Sequence, residues 1–298
     1  IDRALVPLEP FKPRTKINLL RGLIVGIFGG IGLAFFVEYL DQSIKFPEET
    51  EKTLGYPVLG LISLFKEKTG SIESIMTEQP RSALAENYRS LRTSLLLSSA
   101  DCPPRTILIT SPSAGAGKST TSTNLAMAIA QSGKRVVIID ADLRKPRLHK
   151  IFGLKSDLGL SSYLAGLSKG DILQHTSQEN LTFISSGPIP PNPSDLLLSV
   201  RMKALVEKLS REFDYVICDS PPLQSVIDGR ILSQLFDGTV LVVKARVTTF
   251  DVARKVLKQL QDVQSPVLGL LINGLELKKN DYYYETYYTA YGDEPQGS

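Results

Sequence analysis

The stretch Thr110-Ser-Pro-Ser-Ala-Gly-Ala-Gly-Lys-Ser-Thr-Thr121 follows the aliphatic run Arg105-Thr-Ile-Leu-Ile109 and precedes the helix-forming run Ser122 to Gln131. Strand, glycine-rich turn and helix in that order aim backbone N–H groups at a phosphate, and the helix N-terminus adds its partial positive charge. Ser113, Ala114, Gly115, Ala116 and Gly117 make the cradle, Lys118 reaches the β- and γ-phosphates of a nucleoside triphosphate, and Ser119, followed by Thr120, offers a hydroxyl to Mg²⁺. Pro112 stands where the G-x-x-x-x-G-K-[ST] pattern has its first Gly, so the loop is a variant of that pattern.

Outward from the loop, short runs rich in Val, Ile and Leu alternate with helical ones. The pattern predicts helices over 82–99, 118–131, 195–209, 226–235 and 251–261. It predicts strands over 56–62, 106–110, 135–139, 181–185, 215–218, 238–243 and 267–272, with a polar loop at 66–80. Continuously apolar strands separated by helices mean an α/β domain: a P-loop, doubly wound, mostly parallel sheet with helices on both faces. It occupies 81–274, shows no internal repeat, and binds its ligand at the carboxyl ends of the strands. Two such ends carry acids. Val136-Val-Ile-Ile-Asp140-Ala-Asp142-Leu-Arg144 places two carboxylates past one strand, and Tyr215-Val-Ile-Cys-Asp219-Ser-Pro-Pro222 places a third past another. Each acid alone reads as a turn or helix-cap residue. Together, beside a phosphate loop, they read as ligands for Mg²⁺ and its waters.

Composition narrows the function further. The 298 residues are 42% hydrophobic, enough for a sizeable core, and the formal net charge of +3 is far from the excess that nucleic-acid binding calls for. Cys102 and Cys218 stand apart with no C-x-x-C, which excludes a disulfide framework and a cysteine zinc site. The start at Ile1 rather than Met reads as the beginning of a piece of a longer protein.

A membrane helix is predicted over 19–40. Gly22 to Val37 carries no charge, and the full stretch of 22 positions extends about 33 Å at about 1.5 Å per residue, matching a hydrocarbon core of about 30 Å. Arg21 and Glu38 snorkel toward the interfaces, Tyr39 anchors one end, and Gly22, Gly26 and Gly30 form a face suited to packing on another membrane helix. A buried helix of a soluble domain is the alternative. Residues 1–18, with Pro7, Pro10 and Pro13, read as a stiff approach or equally as a plain linker, and 41–80 form a connector. Arg3, Lys12, Arg14, Lys16 and Arg21 before the helix outnumber Lys45 and Lys52 after it, a bias that alone would put the N-terminal side in the cytoplasm. The need of the later domain for ATP overrules that bias and places 41–298 in the cytoplasm.

Assembled in this way, the chain resembles the bacterial tyrosine kinases of capsule and exopolysaccharide export, which join such a domain to a polysaccharide co-polymerase membrane region. The match rests on Ser113-Ala-Gly-Ala-Gly-Lys-Ser-Thr120, on Asp140-x-Asp142-x-Arg144 and on Asp219-x-Pro221-Pro222. Partition and division-site ATPases carry a second lysine where this chain has Ser113. Glu86-x-x-Arg89-x-x-Arg92 is similar to the family's oligomerisation motif, although an i,i+3 salt bridge within the helix accounts for the same spacing. Pro190-Pro-Asn-Pro-Ser-Asp-Leu-Leu197 is similar to a further family segment of no derivable role, and a capped helix start explains it equally.

The tail 275–298 holds Tyr282, Tyr283, Tyr284, Tyr287, Tyr288 and Tyr291, more than half of the 11 tyrosines, among polar neighbours that make burial in a core implausible. A sticky aromatic interaction tail is the plain reading. The resemblance implies instead that these are phosphoacceptors, modified in trans within a ring of identical subunits. It also implies ATP and Mg²⁺ as cofactors, Asp142 as the base that accepts the tyrosine proton, and Asp140 and Asp219 with Ser119 as Mg²⁺ ligands. Lys118 would neutralise phosphoryl charge, and Arg144 would steady a phosphate or an acidic neighbour. The implied partners are a cognate tyrosine phosphatase and proteins of polysaccharide polymerisation and export, at the bacterial inner membrane. A membrane-tethered ATPase switch, or a co-polymerase subunit without kinase activity, is the competing function. Asn273, at the end of the last strand, is by position a candidate adenine contact.

Overall fold

The computed structural model describes residues 15–64, 72–98, 103–168 and 172–276. The tyrosines of the tail, Cys102, and the start of the 66–80 loop lie outside the described residues. The chain divides into two units, Ile1–Gln42 and Ser43–Ser298.

In the first unit, helix α1 (Thr15–Leu40) starts one turn earlier than the apolar pattern alone suggests. Its segment Ile17–Leu40 is long and apolar enough to cross a membrane, and no part of that segment is buried against protein. Leu, Ile, Val and Phe are exposed all round it, which suits lipid rather than water.

The second unit is built on eight strands. In chain order its elements are α2 (Pro47–Leu54), β1 (Val58–Ser63), α3 (Ile75–Glu78), α4 (Ala83–Leu97), β2 (Thr106–Thr110), α5 (Lys118–Ala130), β3 (Val136–Asp140), α6 (Leu148–Phe152) and α7 (Leu160–Leu164). They continue with β4 (Gln174–His175), β5 (Leu181–Ile184), α8 (Pro193–Leu197), α9 (Val200–Glu212), β6 (Tyr215–Asp219), α10 (Asp228–Ser233), β7 (Gly238–Lys244), α11 (Phe250–Asp262) and β8 (Val267–Leu275). The sheet runs β1-β8-β7-β2-β6-β3-β5-β4. All pairings are parallel except that of the short edge strand β4 with β5.

Alternation along each strand sorts side chains between two covered faces. Ile107, Ile109, Val136, Ile138, Ile217, Val240 and Val242 meet Tyr88, Leu91 and Leu95 of α4 and Leu125 and Ile129 of α5. Leu108, Val137, Ile139, Val216 and Cys218 meet Met202, Leu205 and Leu209 of α9, while Leu241, Val243 and Leu270 meet Val256 and Leu260 of α11. Ile109 is 0% exposed; truncating such a residue to Ala costs about 2–5 kcal/mol.

Several predicted elements have other bounds, for local reasons. The helix expected over 195–209 is two helices, because Ser199 turns the chain and accepts from the Met202 N–H as the N-cap of α9. The helix expected at 226–235 shrinks to α10. Within the loop expected at 66–80, Ile72–Ser74 and α3 are helical, since Ile75 and Met76 are apolar enough to bury against α5. The residues after α1 are more than a connector. Ile44 exchanges backbone hydrogen bonds with Thr248 and Arg246, and β1 forms the sheet edge beside β8.

Candidate functional site

The phosphate loop joins β2 to α5. Of its residues, only Gly115 (φ +79°) and Gly117 (φ +94°) take left-handed conformations, the region that glycine tolerates and other residues resist. The position of Pro112 needs no such freedom, so Pro fits where the pattern has its first Gly. Its carbonyl accepts from Gln224 N–H at 3.1 Å and that of Ser111 from Leu223 N–H at 2.9 Å, so the front of the loop is zipped to the segment following β6. Ser113 lies half-buried, its carbonyl accepting from Ser111 Oγ, and Ala114 and Gly115 form the exposed tip. Ala116 is buried. Gly117 is the N-cap of α5 and has no side chain to cap with, so the first N–H groups of that helix face the loop.

The sheet order then brings the acids in. β6 lies between β2 and β3, Asp219 pairs in register with Asp140 and with Ile109, and the two carboxylates stand beside each other at the strand ends. Ser119 Oγ donates to Asp219 Oδ2 at 2.6 Å, and Ser122 Oγ donates to Oδ1 at 3.1 Å. Lys118 Nζ lies 3.2 Å from Asp142 Oδ2 and 3.9 Å from Asp219 Oδ2. Asp142 Oδ1 accepts from Lys145 N–H, and Asp140 Oδ2 accepts from Arg147 and Leu148 N–H. Thr120 completes the first turn of α5. Lys118, Ser119, Asp140, Asp142 and Asp219 therefore form one group around the loop.

Electrostatics in the group are dominated by burial. Burial and the neighbouring Asp219 push the carboxyl of Asp140 up to about 7, against the pull of the Leu148 N–H. Burial also raises Asp219, offset in part by Lys118 and Ser119. For Lys118 burial disfavours the charge, but Asp219 and Asp142 outweigh it and hold the ammonium above its ordinary pKa.

Asp140 Oδ1 is buried with no hydrogen-bond partner, an arrangement that costs about 1–3 kcal/mol unless a cation or proton meets it. That orphan oxygen, beside Asp219 and the Ser119 hydroxyl, is a hard-oxygen set suited to Mg²⁺. Among the described residues no three Asp, Glu, His or Cys side chains could by themselves hold a metal ion. Mg²⁺ takes one or two protein carboxylates and keeps waters and phosphate oxygens for the rest.

Other expected site residues are engaged elsewhere. Arg144 forks onto the fully buried Asp228, Nε to Oδ2 at 2.7 Å and Nη2 to Oδ1 at 3.2 Å, and also reaches Ser194 Oγ. Its partner is thus an acidic neighbour, and Ser194, which itself donates to Asp228, hooks the Pro190–Leu197 segment to the loop carrying Asp142. On α4, Glu86 and Arg89 make the i,i+3 bridge at 3.0 Å, while Arg92 donates to the Ala128 carbonyl near the end of α5. Asp228 and Ser122 carry no motif that would have flagged them, and Ser194 lies in the quoted 190–197 segment without a role readable from it, since each is recruited by a residue distant in sequence. Asn273 donates from Nδ2 to the Ala116 carbonyl at 2.8 Å and so sits on the phosphate loop.

Known proteins resemble this chain in sequence and in fold. The ParA family model, described as NUBPL iron-transfer P-loop NTPase, matches residues 104–288, and the chain belongs to that P-loop family. Tyrosine-protein kinase YwqD of Bacillus subtilis is 42% identical over 209 residues, covering 70% of this chain and 88% of that protein. A putative tyrosine-protein kinase in the cps region of Klebsiella pneumoniae is 32% identical over 95% of this chain, which spans only 41% of that longer protein. The solved kinase domain of Escherichia coli tyrosine kinase ETK superposes with a TM-score of 0.74 at 29% identity, covering 80% of this chain and 98% of that domain. On fold, loop and relatives together, the chain belongs to the bacterial protein-tyrosine kinases of the capsule and exopolysaccharide family.

Proposed function

We propose that the chain transfers the γ-phosphoryl group of ATP to tyrosines of its own C-terminal cluster, Tyr282, Tyr283, Tyr284, Tyr287, Tyr288 and Tyr291, reaching them on a neighbouring subunit. The observation that carries the proposal is the convergence of Lys118, Asp142 and Asp219 on the phosphate loop. The loop amides and the start of α5 bind the phosphates. Lys118 exchanges its carboxylate partners for the β- and γ-phosphates, which frees Asp142 Oδ2 to accept a proton. A tyrosine hydroxyl, with an ordinary pKa near 10, then attacks the γ-phosphorus in line; its proton passes to Asp142, the bond to the bridging oxygen breaks, and ADP leaves. Ser119, Asp140 and Asp219 are the residues that would hold Mg²⁺, which when bound offsets the charge of the phosphate oxygens.

Each phosphotyrosine adds about −1.5 to −2 charge at pH 7, so full modification loads roughly −10 onto one tail and loosens any ring that the tail helps to close. The Glu86-x-x-Arg89-x-x-Arg92 stripe is the proposed contact for that ring. The helix Ile17–Leu40 would anchor the chain in the bacterial inner membrane with the kinase domain in the cytoplasm, where its cycle would regulate polysaccharide polymerisation and export and be reset by a tyrosine phosphatase.

The test mixes Lys118→Met protein, inactive with its tail intact, with active protein ending at residue 276. Radioactive phosphate on the inactive chain is the expected result, and its absence sinks transfer between subunits. A 298-residue chain whose tail stays unmodified by mass spectrometry after long incubation with Mg-ATP would instead be a nucleotide switch.

A further inference from the structure

We propose that Asn273 is a positioning residue for the phosphate loop, acting through the loop's backbone and not through the nucleotide base. The front of the loop is held by the segment after β6, through Leu223 and Gln224 N–H on the carbonyls of Ser111 and Pro112. Its back, where Ala116 and Gly117 lead into Lys118, is tied by the Asn273 amide, which donates to the Ala116 carbonyl at 2.8 Å. The tie crosses from β8 over β7 to the loop after β2.

Two features of the backbone exist to permit it. In β8, Ile62 pairs with Asn273 and Ser63 with Leu275, so Gly274 is an extra residue in a bulge, at φ +77°. A bulge at a strand end re-aims the adjoining side chain, here that of Asn273. In the loop, a Cβ on Gly117 would run into the Asn273 amide, so glycine there serves the close approach as well as the left-handed turn. The donor is a neutral amide. A carboxylate of the same shape would lose the bond and set a negative charge against the phosphates.

Holding Ala116 and Gly117 sets where the first N–H groups of α5 and the stem of Lys118 point. Without the tie the loop samples other positions, and every ligand that binds through its phosphates weakens by the same factor. One hydrogen bond of this kind corresponds to about a 3- to 10-fold change in affinity. The inference rests on the loop being a phosphate clamp, as proposed above, but not on phosphoryl transfer.

The experiment uses the 298-residue chain in detergent and displaces a fluorescent ATP analogue with ATP and with inorganic tripolyphosphate. For Asn273→Ala, and for Asn273→Leu, which fills the space without a donor, both competitors should weaken equally, by about 3- to 10-fold. The KM for ATP in autophosphorylation should rise more than kcat falls, and the nucleotide-free melting temperature should fall by no more than the roughly 3 °C that one hydrogen bond accounts for. Unchanged affinities overturn the inference. So does a loss confined to ATP, which makes Asn273 a base contact, or a loss accompanied in both variants by a melting-temperature drop well beyond that, which makes it a residue of the fold. A wild-type chain that binds neither competitor refutes the clamp itself, while one that binds both but transfers no phosphate leaves this inference standing.

Discussion

Replacing Asp140 by Asn should make the nucleotide-free protein more stable at neutral pH while destroying its function. Asp140 is fully buried, its Oδ2 accepts two backbone N–H groups, and its Oδ1 has no partner. Burial, with Asp219 alongside, raises its carboxyl from the ordinary 3.8 to about 7. Between those values the unfolded chain has released the proton and the folded chain still holds it. The folded state therefore binds more protons, and stability falls as pH rises through that window, by about 4 kcal/mol in all. Asp219, shifted the same way, adds to the slope.

An Asn side chain keeps the acceptor for Arg147 and Leu148 and removes the charge, but leaves a buried amide donor unpaired at about 1–3 kcal/mol. The net gain at pH 8 is about 1–3 kcal/mol, or about 2–5 °C in melting temperature for a chain of this size. Urea denaturation from pH 5 to 8 in EDTA measures it: the wild-type curve should fall with pH, and the variant curve should be flatter and cross above it. Adding Mg-ATP should then stabilise wild type far more than the variant. A variant less stable than wild type at pH 8, or one with an equal pH slope, would refute the reasoning.

Lys118→Met should lower autophosphorylation by at least about a thousandfold by radioactive phosphate incorporation, since the charge it supplies to the phosphates has no substitute among the loop residues. Asp228→Ala should cost about 1–3 kcal/mol in urea denaturation, less than a fully buried pair would, because the half-exposed Arg144 can turn to water. Arg92→Ala should cost about 1 kcal/mol through its lost bond to Ala128; sedimentation of the same variant tests the ring, which should dissociate if Arg92 also serves a neighbour. Ser199→Ala should cost about 1 kcal/mol by uncapping α9, read as a lower melting temperature with nucleotide affinity unchanged.

The loop from Thr110 to Thr121, the strand-end acids Asp140, Asp142 and Asp219 and the apolar span over 19–40 were all legible in the sequence. Each is a local pattern: a turn that needs glycine, a run of β-branched residues ending in a carboxylate, a stretch of lipid-compatible length. The doubly wound sheet followed from the alternation of such runs. The bounds of α8 and α9 did not, because a serine cap is a weak signal inside a continuous helical pattern, and the short helices α2, α3, α6 and α7 depend on the core they pack against.

Local pattern could not decide which side chains meet. Asp140 faces Asp219 only because β6 inserts between β2 and β3, and that crowding of two buried carboxylates is what raises Asp140 and leaves its second oxygen in want of a partner. Arg144 was expected at a phosphate or an acid, and only the packing of α8 and α10 beside it supplied Asp228 and Ser194. Asn273 reaches the phosphate loop through a bulge in a strand more than 150 residues further along the chain. Residue chemistry set out what the site would contain. The order of strands in the sheet determined its charges, its hydrogen bonds and the shape in which the loop is held.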